Sequence, residues 1–79
     1  MICVEVYAIR HAVRFDIKID EKIPAGEAAE GIRRILDEET PGYLLSCELR
    51  GLLKPDISIG EYGIRNGAEM IYVSGIVQP

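Results

Sequence analysis

The sequence has no CxxC and no Cys/His spacing of the kind that holds zinc, and its two cysteines, Cys3 and Cys47, make no disulfide framework. It has one histidine, His11, so base and ligand chemistry has a single imidazole to draw on. Phosphate-cradling glycine patterns, GxGxxG or Walker, are absent. No apolar run reaches the roughly 18 residues that a membrane helix needs. Basic charge is scarce as well: 9 Lys and Arg against 13 Asp and Glu give a net charge of −4 and a pI near 4.9. Nucleic acids and anionic membrane surfaces, which are bound by neutralising phosphate, are thereby disfavoured as general partners. Residues 1–9 are apolar but short and alternating. They carry Glu5 and lack both a basic lead and a small-residue cleavage site, so they predict a strand rather than a signal peptide. A reducing, cytoplasmic location is the expectation.

What is present suits one small folded unit. A chain of 79 residues is expected to form a single domain, 1–79, that buries only about 60% of its unfolded surface. Hydrophobic residues at 48% with 28% charged argue for a globular fold over disorder. Ile2, Val4, Val6 and Ala8 alternate with Cys3, Glu5 and Tyr7, and Val13, Phe15, Ile17 and Ile19 alternate with Arg14, Asp16, Lys18 and Asp20. Period two is the mark of strands with one buried face. The short link Arg10-His11-Ala12 makes the two strands an antiparallel hairpin of open turn type.

Pro24 starts a predicted helix over 24–38, since its missing amide has no partner at the first helical position. Ala28, Ile32, Ile35 and Leu36 share the face predicted to meet a sheet. Glu30/Arg34, Arg33/Asp37 and Arg34/Glu38 stand four apart on the other side. Gly31 in the interior and the acidic run 37–39 at the negative end of the dipole weaken this helix. Thr40-Pro41-Gly42 ends it. A third strand is expected over 43–49, with Leu45, Cys47 and Leu49 on one side and Leu44, Ser46 and Glu48 on the other, and Cys47 as a small core residue. Arg50-Gly51 turns the chain, and Leu52-Leu53 forms a short edge strand.

The stretch that organises the rest runs from Ser58 to Val73. Ser58 and Glu61 have capping-box spacing: the hydroxyl accepts from the amide three residues on, and the carboxylate returns to the amide of Ser58. Ile59 and Ile64 bracket the turn as apolar anchors, and Tyr62 is placed to give its hydroxyl to a backbone group. Asn66-Gly67 supplies a reversal with positive φ before a last strand over 69–73.

Apolar, any residue, acid, Tyr, any residue, Ile, then a polar turn and an alternating strand resembles the last third of ubiquitin and its relatives. The order strand, strand, helix, strand, short strand, strand is similar to theirs along essentially the whole chain. The resemblance implies an α+β ubiquitin-like β-grasp fold, a mixed four- to five-stranded sheet with one helix on one face and the last strand parallel to the first in the middle. Asn66-Gly67 between Ile64 and the strand resembles the small bacterial YukD-like proteins that accompany type VII (WXG100) secretion systems.

That resemblance implies a non-enzymatic protein-interaction module, an accessory of the secretion system, bound to protein partners, with no cofactor and no metal, and it leaves self-association open. Ubiquitin and the sulfur carriers end in a flexible Gly-Gly tail, because activation threads the terminal carboxylate into a narrow channel. This chain instead reads Ser74-Gly75-Ile76-Val77-Gln78-Pro79. A modifier or carrier role therefore requires processing after Gly75.

For the binding surface, ubiquitin-like spacing from Ile64 turns Met70 and Tyr72 towards the helix. It leaves Ile71 and Val73 on the open face beside Tyr7, Cys3 and Leu44. Hydrophobicity by itself allows the opposite parity, since a one-residue slip exchanges the two sets. Arg10, His11, Arg14 and Lys18 are either a basic docking strip or a solvated strand face that blunts an edge. Cys47 beside Ser46 with His11 is not a nucleophile–base pair on this reading, because His11 lies in the hairpin loop and Cys47 on an apolar face.

Overall fold

The computed structural model describes residues 1–74. Processing after Gly75, with the tail beyond it, lies outside them. The alternating segments form β1 (Ile2–Ala8) and β2 (Val13–Ile19), paired antiparallel in register from Ile2 opposite Ile19 to Ala8 opposite Val13. Their link is a single 3-10 turn, Ile9–His11, closed by the Ala12 amide on the Ile9 carbonyl with Ala12 at φ 53°. A left-handed alanine is uncommon, and here it lets the hairpin close without glycine.

The helix α1 covers Ala25–Ile35, with Pro24 at its N-cap. Its buried residues are Ala25, Ala28, Ala29 and Ile32. Ile35 is 60% exposed rather than on the sheet-facing side: at 100° per residue it lies about 70° off the centre of that face. The helix is also shorter than the expected 24–38. Asp37 adopts φ 54°, which breaks the helix before the acidic run reaches the negative pole of its dipole. The Arg33/Asp37 and Arg34/Glu38 pairs are consequently absent among the described residues. Arg33 instead grips Glu30 from Nε at 2.9 Å and donates from its guanidinium to the Glu38 carbonyl at 2.7 Å. At the other end, the free amides of Ala25 and Gly26 donate to the Ile57 and Pro55 carbonyls, both at 2.9 Å. The loop thus does the work of a capping side chain.

β3 (Gly42–Ser46) and the two-residue β4 (Gly51–Leu52) follow, then a 3-10 turn Gly60–Tyr62 and β5 (Glu69–Ser74). The sheet order is β2-β1-β5-β3-β4, with β5 parallel to β1 and antiparallel to β3. This is the α+β arrangement expected: one mixed five-stranded sheet with one helix on one face. The core lies between them, and Val4, Val6, Ile32, Leu44, Ile59, Met70 and Tyr72 are its largest sealed side chains.

The parity of β3 is opposite to the expected one. Leu44 and Ser46 are buried, while Leu45 and Cys47 lie half-buried on the open side, so Cys47 is not a core residue. Ser46 tolerates burial because its hydroxyl accepts the Leu49 amide at 3.2 Å. The same turn, with Arg50 at φ 56° and its amide on the Ser46 carbonyl, stops the strand before residue 49.

The 58–67 stretch is built largely as its residues suggest. The Glu61 amide reaches the Ser58 hydroxyl at 3.4 Å, and that hydroxyl donates to the Glu61 carboxylate at 3.1 Å, which replaces the expected return bond to the Ser58 amide. Tyr62 accepts the Lys54 amide at 2.7 Å on its hydroxyl. Ile59 is sealed in the core and Ile64 packs against it. Gly67 takes φ 87°. Asn66 acts through its side chain, whose Oδ1 accepts the Cys3 amide at 2.7 Å and ties the turn to the start of β1.

Candidate functional site

Strand parity decides what the open face presents. Along β5, Met70, Tyr72 and Ser74 are buried beneath the helix, which leaves Ile71 and Val73 half-exposed on the other side. Cys3 and Tyr7 share that side from β1. Four of the five residues expected there, Ile71, Val73, Tyr7 and Cys3, are thus on one face. Leu44 is not: it is 1% exposed, points to the helix and stands opposite Tyr72. Its place is taken by Leu45, directly opposite Ile71, with Tyr43 opposite Val73 and Leu52 opposite Leu45. Adjacent leucines at 44 and 45 hide this in the sequence, because only register shows which of the two meets Ile71.

Cross-strand pairing joins these side chains into a row. Tyr7 is the parallel partner of Ile71, Ile71 faces Leu45, and Leu45 faces Leu52, so one apolar line crosses β1, β5, β3 and β4. Val73 and Tyr43 make a second line beside it. Leu52, 55% exposed, ends the first line on the edge strand. At the opposite edge Arg14 lies over the Tyr7 ring, 5.2 Å from its centroid, a cation–π contact that keeps the basic edge flat against the apolar one. Of the basic strip, Arg14 and Lys18 are on this face opposite Tyr7 and Cys3. His11 is elsewhere.

At the helix exit, His11 Nε2 stands 3.5 Å from Glu38 Oε1, and the Ser74 hydroxyl donates to the same oxygen at 3.2 Å. The Thr40 amide donates to Glu38 Oε2 at 3.1 Å. Ser, His and Glu occur together here, yet serine and histidine both address the carboxylate and no bond joins them. The nucleophile–base contact of acyl-transfer enzymes is missing. The cluster instead ties the hairpin turn, the helix exit and the end of β5 to one carboxylate.

Donation from the Thr40 amide, with help from Ser74, Arg10 and His11, holds the Glu38 carboxyl below its ordinary 4.5 in spite of its burial. Such a group stabilises the fold above its unfolded pKa, and the contribution is lost as pH falls through the lowered folded value. Glu38→Gln should therefore remove part of the acid limb of stability. Its urea midpoint will lie below that of the parent at neutral pH and converge on it only as pH falls through the lowered folded value. Midpoints that stay parallel across the whole range would show that Glu38 stabilises nothing by its charge.

Nearby, the Tyr72 ring is 1% exposed, and its hydroxyl has no hydrogen-bond partner among the described residues. Burial pushes its phenol pKa up, and Glu38 adds to the rise while Arg33 opposes it. Among the described residues no group of three His, Cys, Asp or Glu side chains is placed to hold a metal ion, and no helix is long and apolar enough to cross a membrane.

No family model and no curated protein matches the chain. Solved structures do. The UBL domain of Plasmodium falciparum Dsk2 superposes with a TM-score of 0.79 at 20% identity, over 94% of this chain and 97% of that one. A designed protein based on ubiquitin gives 0.77 at 11% identity, over 98% and 92%. A ubiquitin-like protein from the hyperthermophilic archaeon Caldiarchaeum subterraneum gives 0.57 at 11% identity, over 98% and 100%. At such identities the likeness speaks for architecture, and it agrees with the strand order, the parallel central pair and the single helix: the chain has the ubiquitin-like β-grasp fold.

Proposed function

We propose that the chain is a non-enzymatic protein-interaction module whose working surface is the open sheet face, built on Ile71, Val73, Tyr7 and Leu45 with Cys3 at its margin. The observation that carries this reading is the unbroken apolar row from Tyr7 to Leu52, with Val73 and Tyr43 alongside. Single exposed apolar residues are ordinary, whereas a contiguous patch rimmed by charge marks a docking surface. The ubiquitin-like fold supports the reading by leaving that face uncovered by its one helix.

Within this class the narrower reading is a YukD-like accessory of a type VII secretion system, acting in the cytoplasm. It is supported by the resemblance of the Ile64, Asn66-Gly67 and β5 stretch. Its partners would then be components of that system.

The test is affinity purification from the native host with the parent chain and with Ile71→Ser/Leu45→Ser, under native and fully denaturing conditions, with intact masses of what is recovered. Both positions are already half-exposed, so the variant should stay folded by circular dichroism while its partners fall at least tenfold in yield. A folded variant that retains its partners removes the open face from the account. Secretion-system components among the partners would support the narrower reading. Covalent adducts surviving denaturation would make the chain a modifier instead.

A further inference from the structure

The open face is polar along one margin. Next to the apolar row, towards the start of β1, register brings Asp16, Glu5 and Glu69 side by side on β2, β1 and β5. Neighbouring strands are about 4.8 Å apart, and like charges directly opposite one another destabilise a sheet. Among the described residues none of these three carboxylates is in an ion pair. Arg14 and Lys18, the cations that β2 brings to this face, stand on either side of Asp16, and Arg14 is engaged with Tyr7. The same-face neighbours of Glu5 and Glu69 on their own strands are Cys3, Tyr7 and Ile71, none of them a lysine or arginine. A shallow recess of about 430 Å³ opens over this row, bounded by Cys3, Glu5, Asp16, Asn66 and Glu69.

We propose that the open face takes a protein segment carrying an apolar anchor followed by lysine or arginine. The anchor sits on Ile71 and Leu45, and the cation sits in the recess between Glu5 and Glu69. This rests on the open-face reading above and names the chemistry of the partner. Two residues of strand separate the rows, about 7 Å. Positions i and i+2 of an extended segment span that distance, as do i and i+4 of a helix at about 6 Å. The uncompensated carboxylates give the partner its cation and repel an anionic membrane or a nucleic acid from the same surface.

The probe is a random dodecapeptide display library selected against the folded full-length chain. Binders are then measured on three forms: the parent, Glu5→Gln/Glu69→Gln, and Ile71→Ser/Leu45→Ser. The expected binders place Lys or Arg two or four positions from a large apolar residue. Their affinity should fall about three- to tenfold on the Gln form, the scale of two exposed charge pairs, with a flatter salt dependence, and vanish on the Ser form. The Gln form should be at least as stable as the parent, since it relieves like-charge repulsion.

Binders with neutral or acidic residues beside the anchor, or equal affinity for the Gln form, overturn the proposal and leave the open-face reading standing. Binders that hold the Ser form as well as the parent overturn both. Selection of no binder, or a concentration-dependent dimer of the chain abolished in the Ser form, also overturns it.

Discussion

Gly42→Ala should destabilise the domain by about 3 kcal/mol, the upper end of what overpacking a core costs. Residue preference predicts the opposite sign, because glycine weakens a strand and alanine in its place restricts the unfolded chain. Sterics decides. A Cβ at Gly42 would lie 2.5 Å from the Tyr72 hydroxyl oxygen and 2.6 Å from its Cε1, far inside van der Waals contact. The ring has nowhere to retreat, since Tyr72 is 1% exposed and is flanked in register by Ala8 and Leu44. A loss of 3 kcal/mol is a large part of the stability of a domain this small. It should appear as a fall of 10 °C or more in the melting temperature. Shortening the ring with Tyr72→Leu in the Gly42→Ala background should give a double variant whose loss is smaller than the sum of the two single losses, by about 1 kcal/mol or more of coupling. Equal urea midpoints for Gly42→Ala and the parent would show that Tyr72 is not seated on this glycine.

The second large effect is expected at Ile59. Its side chain is fully sealed and its amide donates to the Ile23 carbonyl at 3.0 Å. Ile59→Ala should cost about 2–5 kcal/mol, the range for truncating a core aliphatic. Ser58→Ala removes the neighbouring cap and should cost about 1 kcal/mol or less, because the cap is solvent-exposed. Loosening the turn also loosens the loop before it, whose carbonyls hold the first amides of α1. Hydrogen exchange at Ala25 and Gly26 should therefore quicken in Ile59→Ala beyond its global loss of stability. If Ser58→Ala proves as costly as Ile59→Ala, the turn is held by its cap rather than by its anchor.

These effects divide by how far they were legible in the sequence. Ile59 was, because an apolar residue beside a Ser/Glu capping pair announces a turn pinned to a core. Both strands of the first hairpin were too, since their alternation is strict. Gly42 as the seat of an aromatic ring was not: as a residue after proline it reads as a chain breaker, and the ring comes from a strand far along the chain.

The candidate face was half legible. Alternation leaves the parity of β5 open, and it is the ubiquitin-like spacing from Ile64 that turns Ile71 and Val73 outwards beside Tyr7 and Cys3. Leu44 was misassigned because β3 carries apolar residues on both faces and a serine inward, so hydrophobicity cannot set its parity. The acidic row needed the register of three strands at once. The cluster at Glu38 depends on a helix that ends early and on a contact to Ser74 across 36 positions, for which no local pattern exists.

The parallel pairing of the first strand with the last bears on force as well as on packing. Tension applied at Ile2 and Ser74 pulls β1 and β5 in opposite directions along their shared axis, so the bonds linking Glu5–Ala8 with Glu69–Tyr72 bear the load together. A hairpin gripped at its open end peels one bond at a time, while this pair must slide as a unit. The fold therefore resists stretching between these two points far better than its modest size suggests. A machine that drew these two points apart would meet its steepest resistance at the outset, before any other part of the sheet gives way.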